Sequence, residues 1–113
     1  MVQDKDKVYL QHILDEIYRI DIFLEGKNMD EFVTSDVTET HYAVVRSLEI
    51  VGEAASKLSG KLKDEYPQVP WVSIVGMRNK IIHEYMSVDY QVVWETIKSD
   101  LPQLRLAIES LLK

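Results

Sequence analysis

Apolar residues at Leu10, Ile13, Ile17, Ile20 and Leu24 recur at alternating steps of three and four, the spacing that lines one face of a helix. They predict a long amphipathic helix over residues 4–25. Gly26-Lys27-Asn28 ends it, and Asn28 is placed to cap a short helix over 29–33 by accepting a hydrogen bond from an unpaired backbone amide. A third helix is predicted over 37–58, with Val44, Val45, Leu48, Val51, Ala55 and Leu58 inward and Ser59-Gly60 as its stop. Its middle is made of small residues, Gly52, Ala54, Ala55 and Ser56, which let another helix backbone come close. The glycine costs roughly 1 kcal/mol of helix propensity, so close packing within the monomer is the preferred reason for it, ahead of a contact between subunits.

Residues 61–66 read as a further turn of helix before Pro67-Gln68-Val69-Pro70, where two prolines break the pattern. Pro70 stands just ahead of a helix predicted over 71–83 or 71–85. Ser87-Val88-Asp89 is a connection, with Asp89 as N-cap of the last helix. There Val93, Ile97, Leu101, Leu104, Ile108 and Leu111 keep one face in phase across Pro102, which predicts one kinked helix rather than two. No segment alternates with period two long enough to argue for a sheet. The expectation is an all-α fold, an up-down bundle of four main helices plus short ones, in a single domain over 1–113.

Composition narrows the setting. With 113 residues and 46% hydrophobic content, the chain can bury a core without covalent staples, and the absence of cysteine excludes disulfides and thiolate metal sites. The charged N-terminus leads into no long apolar run, so neither a secretory signal nor a membrane span is expected, and a soluble cytoplasmic protein fits best. A net charge of −6 argues against broad, sequence-independent binding of nucleic acid, which relies on many Lys and Arg contacts to phosphate. Any nucleic-acid contact must be local. Acidity also favours docking to a basic protein partner.

The chemistry is concentrated in Arg78-Asn79-Lys80-Ile81-Ile82-His83-Glu84-Tyr85. RNA can be cut by its own 2′-hydroxyl attacking the adjacent phosphorus, which needs a base for that proton and an acid for the leaving oxygen. Histidine suits either role near neutral pH. Charge gathers on phosphoryl oxygens in the transition state, where a guanidinium offers a planar fork of hydrogen bonds. Asn79 and His83, four apart on an ideal helix, share a face, so the amide can orient the imidazole. Arg78 and Tyr85 share a neighbouring line, whereas Arg78 and His83 diverge by roughly 140° on an ideal helix of about 3.6 residues per turn. Two solutions remain: the helix frays near His83, or two copies face each other across a two-fold axis.

The order Arg-x4-His-x-Tyr, with Asn after the Arg, resembles the signature of the HEPN superfamily and specifically of its HepT-like toxins, which pair with a minimal nucleotidyltransferase antitoxin. The resemblance extends to the helical layout, to the Pro-Trp before the motif and to Val88-Asp89 and Val93-Trp94 after it. It implies an all-α homodimer whose motif helices line a shared cleft, acting as a metal-independent endoribonuclease. By that comparison Arg78 and His83 are the catalytic pair, Asn79 is the polar residue following the Arg, and Tyr85 is the acceptor of AMP from the cognate nucleotidyltransferase. Adenylate on Tyr85 would place bulk and negative charge beside Arg78 and repel the RNA phosphate. No cofactor or metal is implied.

Plainer readings stand beside these. Arg78 could pair with Glu84 or Asp89, His83 could interact with a helix C-terminus, and Tyr85 could plug the core. Trp71 and Trp94 read as core or interface anchors rather than base-stacking platforms. His12 and His41 read as ordinary polar residues, and Glu49 and Glu53 as a solvated or interface face rather than metal ligands. The competing function is a non-catalytic helical subunit that docks a nucleotidyltransferase or holds a nucleotide.

Overall fold

The computed structural model describes residues 2–81 and 87–113, apart from the side chain of Arg78. Along them run α1 (Asp4–Phe23), α2 (Met29–Thr34), α3 (Glu39–Ser56), α4 (Gly60–Glu65), α5 (Trp71–Val75), α6 (Met77–Ile81) and α7 (Tyr90–Leu111), with no β-strand among the described residues. The all-α expectation holds.

The three long helices build the core because each carries one apolar face. α1 and α3 form the most extensive pairing, and Leu10, Ile13, Val44, Leu48, Val51 and Ala55 are wholly buried. α7 packs on α1 and α2, burying Val93, Ile97, Leu101, Leu104 and Ile108. That face continues through Pro102, so the last segment is one helix, as its phase predicts. Pro102 is exposed, which leaves the carbonyl it cannot bond free to meet water.

The ends are set by side chains. Asn28 accepts the Glu31 amide at 2.9 Å, and Asp89 accepts the amides of Gln91 and Val92 at 3.1 and 3.2 Å. Gly26 follows α1 with φ 77°, a left-handed conformation that a Cβ would strain. Ser59 does more than end α3. Its hydroxyl caps α4 through Leu62, while its amide and hydroxyl both donate to the buried carboxylate of Asp6, at 3.0 and 2.7 Å. Two elements distant in sequence are thereby tied by one satisfied buried acid.

His41 is not an ordinary polar residue. It is buried in the first turn of α3, stacked on Phe32 at 4.6 Å between ring centroids and met edge-on by Tyr90 at 4.8 Å. The Thr38 amide donates to its Nδ1 at 3.0 Å, so that nitrogen carries no proton, and Nε2–H donates to the Phe32 carbonyl at 2.8 Å. His41 thus takes the place that Glu or Gln usually holds in a capping box and joins α2 to α3. Burial, and then the neighbouring Tyr42, pushes the Tyr90 hydroxyl above its ordinary range.

Candidate functional site

The helix predicted over 71–83 or 71–85 is interrupted at Gly76, giving α5 and α6. The junction between them packs closely on α3. A Cβ at Gly52 of α3 would lie 3.0 Å from the Ile74 carbonyl oxygen, 3.2 Å from the Met77 Cβ and 3.6 Å from the Val75 carbonyl oxygen. Only glycine lets the α5–α6 junction come so near, and the close packing expected of the small-residue stretch is therefore satisfied within the monomer. Gly76 itself has a low helix propensity, and the junction falls there.

α6 carries the start of the motif. Met77 and Ile81, four apart, are wholly buried, and α6 packs on α3 and α7. Asn79, about 200° round an ideal helix from Met77, is exposed. The backbone of Arg78 lies in α6, next to Asn79. Its side chain and the whole of His83 and Tyr85 lie outside the described residues, and with them the convergence of Arg78 on His83. The two ends of the stretch that holds His83 and Tyr85 are nonetheless joined, because the Asp89 amide donates to the Ile81 carbonyl at 2.9 Å. Asp89 therefore both ties back to α6 and starts α7.

Lys80 is engaged in a way its sequence neighbours do not announce. Its ammonium donates to the Ser73 hydroxyl at 2.9 Å and to Asp100 Oδ2 at 3.2 Å, and the Ser73 hydroxyl donates to that same Oδ2 at 2.9 Å. The expected Arg78 partners, Glu84 and Asp89, belong to the motif's own strand of sequence, whereas Lys80 reaches twenty residues on. Only the seven-residue spacing of Ser73 and Lys80 hinted that they share a side of one helical path. Beside them, Lys80, Val92, Glu95, Thr96, Ser99 and Asp100 border a recess of about 170 Å³ between α6 and α7. The Thr96 hydroxyl is buried there without a hydrogen-bond partner among the described residues.

The solvent side of α5 is apolar next to the motif. Val72 is 90% exposed and Val75 39%, and both precede the exposed Asn79. Trp71 is half-buried against the core, its Nε1 donating to the Tyr66 carbonyl at 3.0 Å, and Trp94 packs at 5.7 Å from Phe32 with the Lys98 ammonium over its ring. Both indoles act as anchors. Glu53 pairs with Lys57 at 3.9 Å on the outer face of α3, and His12 meets Tyr9 edge-on. Among the described residues, no group of three or more His, Asp or Glu is arranged to hold a metal, and no helix is long and apolar enough to cross a membrane.

Comparison with known proteins gives consistent matches over nearly the whole chain. A family model described as ribonuclease HepT-like matches residues 13–111. A "Putative RNase" of Caldanaerobacter subterraneus subsp. tengcongensis is 40% identical over 105 residues, spanning 93% of this chain and 92% of that protein. A "Probable ribonuclease HepT" of Thermococcus cleftensis is 37% identical over 107 residues, spanning 95% of this chain and 96% of that protein. A "Putative RNase" of Methanocaldococcus jannaschii is 37% identical over 107 residues, spanning 95% and 87%. No solved structure matches.

Proposed function

The chain belongs to the HepT-like ribonuclease family, and from that premise we propose that it is the toxin half of a toxin–antitoxin pair, a homodimeric, metal-independent endoribonuclease. The observation that carries the reading is the seating of α6. Its apolar side is buried on α3 while Asn79, beside Arg78 in the chain, faces solvent. Asn79, the second residue of the motif, thus lies on a surface, where a substrate strand can reach it.

In the proposed reaction the 2′-oxygen attacks the adjacent phosphorus and the bond to the 5′-oxygen breaks, leaving a 2′,3′-cyclic phosphate and a 5′-hydroxyl. The imidazole of His83 takes the 2′-hydroxyl proton, water gives a proton to the departing oxygen, and a two-fold pair of chains brings the His83 of one against the Arg78 of the other. Arg78 stabilises the charge that builds on the phosphoryl oxygens, and Asn79 orients the imidazole. The apolar flank of Val72 and Val75 suits the close approach of the second copy. RNA contact is confined to this cleft, in keeping with the net charge of −6.

Regulation is proposed at Tyr85. A cognate nucleotidyltransferase transfers AMP to its phenol, the phenolic oxygen attacking the α-phosphorus of ATP as pyrophosphate leaves. The product sets an anion beside Arg78 and competes for the same cation. Intact mass of the protein made with and without the transferase tests this directly: a gain of one adenylate is expected, and an unchanged mass removes the regulation.

Freed from its partner and unmodified, the protein is expected to cut RNA in EDTA to cyclic phosphate ends. The acidic surface favours a second reading, a non-catalytic subunit that docks a basic partner, and absence of cutting in that assay would select it.

A further inference from the structure

We propose that Ser73, Lys80 and Asp100 form a positioning clip that fixes the rotation of α6, and so sets how the Arg78-Asn79 end of the motif is presented; its catalytic consequence rests on the nuclease reading above. α6 is separated from α5 at Gly76, so its seating depends on side-chain contacts as well as on its own backbone hydrogen bonds. Among the described residues, Met77 and Ile81 anchor one side of it in the core, and a single apolar row does not by itself fix its rotation.

The clip opposes that rotation. Lys80 lies about 60° round from Met77 and is drawn toward α7 by Asp100, while Ser73 brings in α5 from the far side of the Gly76 break. Three helices meet through one carboxylate oxygen. Each group is used in the form it prefers: the ammonium donates, the hydroxyl accepts from it and donates onward, and the carboxylate receives both. The Asp100 side chain is 16% exposed and Lys80 39%, so the pair is better shielded than a free surface bridge. A lysine beside a phosphate-handling motif invites the reading of a phosphate ligand, yet its charge is already matched by Asp100.

The test uses the purified, unmodified protein with Lys80→Met, Asp100→Asn, Ser73→Ala and Lys80→Arg, and reads two quantities. The first is hydrogen exchange at the amides of residues 77–81, which needs no substrate. Lys80→Met is expected to speed exchange there while leaving α1 unchanged; unaltered exchange in the folded variant overturns the clip. The second is RNA cleavage. If the clip positions the motif, kcat falls about 10–100-fold in Lys80→Met with KM held within about twofold, and Lys80→Arg restores most of the rate because a guanidinium reaches both acceptors. A raised KM at constant kcat would instead make Lys80 a substrate ligand and overturn the proposal. Should Lys80→Met fail to fold, Ser73→Ala removes one link at little change in volume and is read the same way. If the wild type does not cut RNA, the nuclease reading falls and the clip is decided by exchange alone.

Discussion

The α1–α3 pair and the α5–α6 segment are built on opposite principles. The first joins helices of 20 and 18 residues along continuous apolar faces, so no single contact decides whether it forms. The second breaks at Gly76 between α5 and α6 and is seated by a glycine contact and a three-residue polar clip. The scaffold is over-determined, whereas the segment bearing the motif depends on a few residues each. A site whose geometry must be set to within an ångström is thus held by contacts that can be removed one at a time.

Substitution should separate the two regions. The largest effect is expected at the chemistry: Arg78→Ala and His83→Ala should each lower RNA cleavage by about 10²–10⁴-fold in protein whose circular dichroism and melting temperature match the wild type. Full activity in either would take that residue out of the mechanism. In the scaffold, Leu48→Ala opens a cavity at a wholly buried position and should cost about 2–5 kcal/mol in urea unfolding, with the cleavage rate per folded molecule unchanged.

Gly52→Ala joins the two regions. The added methyl would meet the Ile74 carbonyl oxygen at 3.0 Å, so a loss of about 1–3 kcal/mol is expected despite alanine's better helix propensity. Unlike Leu48→Ala, it should also slow cleavage, because the junction that carries α6 must move away. A stabilised Gly52→Ala protein with full activity would show that the close approach is unnecessary. The smallest change is at Asp89→Ala, which removes the cap of α7 and should cost about 1 kcal/mol by the same unfolding measurement.

The same division explains what could be read from the sequence. The phase of Leu10, Ile13, Ile17 and Ile20, and of Val93 through Ile108, announces α1 and α7 because burial of a continuous face imposes a period. Asn28 and Asp89 were legible because a cap is a local bond between near neighbours. Gly52 signalled a close approach, but which backbone approached it, and that the approach would accompany a break at Gly76, depended on tertiary packing. His41 was misjudged because its burial comes from Phe32 and Tyr90, one on the preceding helix and one on the last. The Ser73–Lys80–Asp100 clip likewise depends on Asp100 of α7, which no helical period relates to Ser73 and Lys80. At the proposed site, the residue types of Arg78, Asn79, His83 and Tyr85 carried the chemical expectation, while the seating of α6 came only from three dimensions.

In the proposed nuclease the guanidinium of one chain and the imidazole of another complete one site. Mixing the inactive Arg78→Ala and His83→Ala proteins under conditions that exchange subunits, then assaying RNA cleavage in EDTA, tests it most directly. A mixed dimer retains one intact Arg78 and one intact His83 on different chains, so activity should return on mixing and grow with the fraction of mixed dimer. A mixture as inactive as its two components, with exchange verified by mass, would contradict a site shared between chains.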